Sequence, residues 1–148
     1  MSSARKIAIV SACLLGEICR YDGKTKRENA VIDALGDYEI VPFCPEAPLF
    51  GTPRERINVV EKDGEIRIVT DETLVDVTSR LENETNAFAK LHPRVDKIVL
   101  KSKSPSCGYG TTPMLNDKKE VVRFGNGIGA RILSERFADV EIEDESSF

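Results

Sequence analysis

The sequence predicts an α/β fold: a single Rossmann-like domain over residues 1–148, with a mainly parallel sheet and a β-hairpin insertion. Three observations predict it. Lys6–Ala12 and Asp96–Lys101 are short, nearly continuous apolar runs, as strands buried on both faces of a parallel sheet require. Helical patterns alternate with such runs along the chain, and parallel strands need such crossovers. Asp63-Gly64 interrupts two alternating runs, which marks a tight hairpin.

Lys6–Ala12 (KIAIVSA) is read as the first strand, and a loop through Gly16 and Gly23 follows it. Asn29–Leu35 is a short helix stopped by Gly36. Tyr38–Phe43 is the second strand, where Pro42 is expected at a strand end or bulge because it lacks a ladder donor. Ile57–Thr70 is the hairpin, turning at Asp63-Gly64. Asp71–Leu91 is read as one helix because Leu74, Val77, Leu81, Phe88 and Leu91 recur at helical spacing; Thr70 caps it and Pro93 prevents its continuation. Asp96–Lys101 is the third strand and Lys119–Phe124 a short one. Asn126–Phe137 is a helix capped by Asn126, and Val140–Ile142 is a last strand. The end, about residues 143–148, reads as a solvated acidic tail.

Composition narrows the function. The net charge of −4 gives no general attraction to nucleic acid or anionic membrane, although Lys101 and Lys103 could hold an anion locally. No apolar stretch approaches the ~20 residues of a membrane span. The apolar run Ile7–Val10 is too short for a secretory signal. A soluble cytoplasmic protein is expected, without membrane or nucleic-acid partners and as a monomer or weak dimer. Four cysteines in that compartment do not read as a disulfide framework. There is no CxxC pair and one histidine, His92, so the usual zinc signatures and a His-rich metal site are set aside.

Cys13 follows the first predicted strand, Cys44 ends the second, and Cys107 lies in the loop after the third. Ligands in open α/β sheets bind beyond the carboxyl ends of the parallel strands, so the fold alone brings these three to one edge. Each taken singly is more often a small buried hydrophobe than a ligand, and the coincidence of three strand ends is what points to a shared site. As a group, three thiolates repel one another and require a cation, and an all-sulfur shell suits iron–sulfur or zinc. Three protein ligands leave one coordination position open. Cys19 sits in a loop beside Arg20, Tyr21 and Asp22 and could be a fourth ligand, a redox partner or a bystander, of which its position favours the bystander. Glu46, two residues beyond Cys44, is either a proton carrier at the site or half of a salt bridge with Arg54 or Arg56. Tyr21, Asp22 and Lys101 are weaker candidates for gripping a substrate, and the stretch Gly125–Gly129 could face a polar ligand group without being a dinucleotide fingerprint.

Ser11–Gly23 (SACLLGEICRYDG), Phe43–Glu46 (FCPE) and Leu100–Gly110 (LKSKSPSCGYG) resemble the motifs of the thiouracil desulfurase family, in the family's order across nearly the whole chain. The resemblance implies an oxygen-sensitive [4Fe–4S] cluster held by Cys13, Cys44 and Cys107, with its fourth iron left for substrate sulfur. It implies a catalytic acid at Glu46 and a catalytic serine at Ser102, with Ser104 as the rival position. It implies a small thiopyrimidine base or nucleoside as substrate, although related longer proteins act on thiolated nucleosides or tRNA. The family often carries Val at the position of Cys19. The alternative function is a non-catalytic metal-binding or redox-sensing module built on the same cysteines.

Overall fold

The computed structural model describes residues 5–17, 20–23 and 26–148. Eight strands form two four-stranded sheets. The strands are β1 (Ile7–Ser11), β2 (Glu39–Phe43), β3 (Ile57–Lys62), β4 (Glu65–Thr70), β5 (Lys97–Leu100), β6 (Thr112–Leu115), β7 (Val121–Gly125) and β8 (Ile142–Asp144). The helices are α1 (Asn29–Ala34), α2 (Glu46–Phe50), α3 (Thr78–Leu91) and α4 (Ile128–Arg136). The first sheet has the order β2-β1-β5-β8 and is parallel throughout. The second has the order β4-β3-β6-β7, with β3 and β6 parallel and both outer pairs antiparallel.

The apolar pattern explains the layering. Successive residues of β1 point to opposite faces. Ala8 and Val10 pack with Val31 of α1 and with Leu35 just after it, while Ile9 packs with Ala89 of α3 and Leu133 of α4. The other sides of α3 and α4 present Leu81, Ile128 and Ile132 to Ile57, Val59, Ile68 and Met114 of the second sheet. Helices α3 and α4 therefore lie between the two sheets. Leu81 is fully buried there; cutting such a leucine to alanine costs about 2–5 kcal/mol.

The hairpin expectation holds in detail. Asp63 and Gly64 both have positive φ (53° and 79°), as a type I′ turn demands, and β3 and β4 pair from Ile57↔Thr70 to Lys62↔Glu65. The hairpin is not a lone excursion, because β3 also pairs with β6. Pro42 is tolerated because β2 is an edge strand: it pairs with β1 on one side, so its missing N–H has no second ladder to break.

Three expectations are corrected. The helix expected over 71–91 begins at Thr78. The periodic residue Leu74 has positive φ and is 68% exposed, and Leu91 is 77% exposed. Local hydrogen bonds compete successfully in this stretch. The Glu55 carboxylate accepts from the amides of Glu72 and Thr73, Val75 N–H donates to Thr70 Oγ1, and Asp76 Oδ1 accepts from Thr78 N–H. The acidic end is not a solvated tail either. Residues Ile142–Asp144 form β8 beside β5, and Glu145 caps the turn that follows β5. At α4 the cap position falls on Gly127 rather than Asn126, whose Oδ1 instead accepts from Gly110 N–H. No helix among the described residues is long and apolar enough to cross a membrane.

Candidate active site

The parallel sheet places the cysteines. Cys13 sits in the 3-10 turn Ala12–Leu15 directly after β1, and Cys44 directly follows β2. Cys107 lies in the loop between β5 and β6. The crossovers leave β1 in opposite directions, to β2 on one side and β5 on the other. That is a topological switch point, where ligands of open α/β sheets bind. Burial, first, and then the nearby Cys44, Cys13 and Glu46 push the Cys107 thiol well above its usual pKa, while a hydrogen bond from the Ser11 hydroxyl pulls it down. The three thiols and the carboxylate therefore share one electrostatic neighbourhood. Cys13 and Cys107 are buried and Cys44 is half-buried.

Thiolates in such a place need a cation, and the donor set is soft sulfur, which fits an iron–sulfur centre. Among the described residues, no group of three or more His, Cys, Asp or Glu side chains is placed to hold a single metal ion. Cys19 lies outside the described residues.

The Cys107 loop is held by backbone-directed bonds. Ser104 Oγ accepts from the amides of Ser106 (3.2 Å) and Cys107 (3.1 Å). The Ser104 carbonyl accepts from Gly108 N–H (2.9 Å) and Thr112 Oγ1 (2.7 Å). Amides at the start of α4 close the other side: Gly127 donates to Gly108 O, Ile128 to Pro105 O and Ala130 to Ser106 O. A Cβ on Gly127 would stand 2.7 Å from Pro105 O, and one on Gly129 2.7 Å from Ser106 O. The Gly125–Gly129 stretch thus lets the helix approach a protein loop, and its amides serve that loop rather than a ligand.

Ser102 and Lys101 face another partner. Ser102 N–H and Oγ donate to Glu145 at 2.7 and 2.6 Å, and Lys101 Nζ pairs with the same carboxylate at 3.1 Å. Lys101 N–H donates to Ser11 Oγ (2.8 Å), tying the ends of β1 and β5 together.

Glu46 opens α2 and is buried, as is Ser106. Its Oε2 accepts from Ser106 Oγ at 2.7 Å and its Oε1 from an Arg54 terminal nitrogen at 3.3 Å. Arg54, with its side chain 6% exposed, also donates to Gly51 O and Thr52 Oγ1, and its Nε has no hydrogen-bond partner. Arg56 pairs elsewhere: it lies over the Tyr21 ring and donates to the Tyr21 hydroxyl at 2.6 Å. The Tyr21 carbonyl accepts from Arg54 N–H, and Asp22 pairs with Arg20 at 3.6 Å. Of the residues singled out from sequence, Cys13, Cys44, Cys107 and Glu46 come together. Ser104 is built into the Cys107 loop, Lys101 and Ser102 turn to Glu145, and Tyr21 reaches the site through the Arg54 backbone. Sequence reasoning missed Ser106 and Ser11. Both are serines within two residues of a cysteine in the quoted motifs, but a polar side chain buried at 1% exposure is visible only once the fold is known.

A family model described as 2-thiouracil desulfurase matches residues 8–145. A protein of Bacillus subtilis (strain 168), the uncharacterised YbbK, is 30% identical in an alignment 148 positions long that covers 93% of this chain and 95% of that protein. A solved structure of TudS, a [4Fe–4S]-dependent thiouracil desulfidase, shares 32% identity and aligns with a TM-score of 0.69 over 98% of this chain and 93% of that one.

Proposed function

The chain belongs to the 2-thiouracil desulfurase family, and from that premise we propose that it converts a thiolated pyrimidine base or nucleoside to its oxo form, using a [4Fe–4S] cluster held by Cys13, Cys44 and Cys107. The reaction balances as thiouracil plus water giving uracil plus hydrogen sulfide: a C–O bond forms, the C–S bond breaks, and nothing is oxidised or reduced. Bound to Cys13, Cys44 and Cys107, such a cluster would supply a soft Lewis acid for the substrate's sulfur. The observation that carries this reading is the placement of the three cysteines after β1, β2 and β5 of one parallel sheet, with the buried Glu46 bonded to Ser106 beside Cys107.

The protein's own groups divide the remaining work. Glu46 takes a proton from the attacking water and returns one to the departing sulfur or a ring nitrogen. Ser104 uses its oxygen to accept two amides, so its O–H is left to donate to the substrate. The Ser102 hydroxyl donates to Glu145, which favours Ser104 as the serine that works.

The test is anaerobic. Purified or reconstituted protein should be brown, carry about four irons and four sulfides per chain, and release sulfide and uracil from thiouracil in equal amounts. A colourless zinc protein, or a loaded cluster that releases no sulfide from any thiopyrimidine base or nucleoside, would contradict the reading.

A further inference from the structure

Glu46 is asked to move protons beside a group of thiolates, where its own negative charge is repelled and its side chain needs donors to hold it. It has two, from different parts of the chain. Ser106 Oγ donates to Oε2 at 2.7 Å, with both residues buried. An Arg54 terminal nitrogen donates to Oε1 at 3.3 Å. The guanidinium is itself anchored, because its other terminal nitrogen donates to Gly51 O (2.9 Å) and Thr52 Oγ1 (3.3 Å). The Arg54 backbone N–H is fixed to Tyr21 O at 2.7 Å. Each carboxylate oxygen thus spends one lone pair on a protein donor and keeps another for water or substrate.

We propose that Ser106 and Arg54 are positioning residues that clamp Glu46 from both oxygens and act on turnover through it. The inference rests on the reading of Glu46 as the proton carrier. Ser106 directly precedes Cys107, so the clamp also fixes the distance between the carboxylate and the ligand loop. Pre-organisation of this kind affects the reacting step more than substrate binding, because a carboxylate free to rotate must be reoriented in each turnover.

A double-mutant cycle on the cluster-loaded enzyme tests this. Ser106→Ala and Arg54→Gln should each lower kcat by about tenfold, with KM within about twofold and iron content as in the parent. Arg54→Lys, which keeps a cationic donor, should recover part of the loss. In a Glu46→Gln background, adding Ser106→Ala or Arg54→Gln should change kcat by less than about twofold. Full multiplicative losses in that background would overturn the clamp, as would iron lost in step with activity in the Arg54 variants. If Ser106→Ala alone sheds iron, the Arg54 pair decides the question. A Glu46→Gln enzyme at the parent rate would instead sink the role given to Glu46, so the two failures are distinguishable.

Discussion

At the scale of single residues, the chemistry depends on which groups are already engaged. Ser102 and Ser104 look interchangeable in the sequence. Glu145, 43 residues away from Ser102, takes the Ser102 hydroxyl, and the proposed function accordingly gives the working role to Ser104. Ser106 meets Glu46 across 60 residues, a bond that no local pattern announces. The cysteines were legible because each follows a strand that could be recognised on its own, and Glu46 because it is two residues from Cys44. The salt bridge to Arg54, which reads from sequence as a rival to a functional Glu46, instead coexists with the Ser106 bond on the other oxygen. The ligand assignment predicts that Cys13→Ser, Cys44→Ser and Cys107→Ser each abolish the cluster's visible absorbance in anaerobic protein, whereas Cys19→Ser keeps most of it. Loss of absorbance in Cys19→Ser, with retention in one of the other three, would reverse the assignment.

At the scale of elements, two junctions present the site. Helix α4 places its first amides on the carbonyls of Pro105, Ser106 and Gly108, and Gly127 and Gly129 permit the approach. The end of β8 sends Glu145 back to the end of β5. Burial pushes the Glu145 carboxyl up, but the hydroxyl and amide of Ser102 and the Lys101 ammonium outweigh it, and the net pKa is lowered from 4.5. A carboxyl whose pKa is depressed in the folded state adds stability that is full above its unfolded value and lost as pH falls through the folded one. Glu145→Gln should therefore destabilise the anaerobic protein by about 1–2 kcal/mol near neutrality. In paired denaturant titrations the difference from the parent should shrink as pH drops below 4.5; a difference independent of pH would show that the carboxylate charge is not what holds this junction. The composition of residues 143–148 suggested solvent exposure, since charge is the only local signal there and the partner lies on β5. Helix α3 shows the same limit. The spacing of Leu74 and Val77 was helical, yet Glu55 and Asp76 supplied side-chain bonds that hold 71–77 in turns.

At the scale of the whole molecule, the parallel order β2-β1-β5-β8 makes the carboxyl ends of β1, β2 and β5 neighbours, and everything at the site follows from that adjacency. This half of the fold was legible because its strands are apolar on both faces. The second sheet was legible as a hairpin and as the short strand that becomes β7, but not as one sheet. Its strand β6 is four residues containing Pro113, too short and too irregular to read as a strand, and it joins β3 by a parallel pairing of residues more than fifty positions apart. The sheet matters to function because it backs α3 and α4, which in turn back the Cys107 loop. The central claim is that three cysteines hold a cubane and one iron stays open to the substrate's sulfur. Mössbauer spectra of the 57Fe-loaded protein, recorded anaerobically before and after adding thiouracil, test it most directly. The account predicts that one iron of about four changes its isomer shift and quadrupole splitting while the rest stay unchanged. Spectra in which every iron carries a cysteine sulfur and none responds to thiouracil would contradict it.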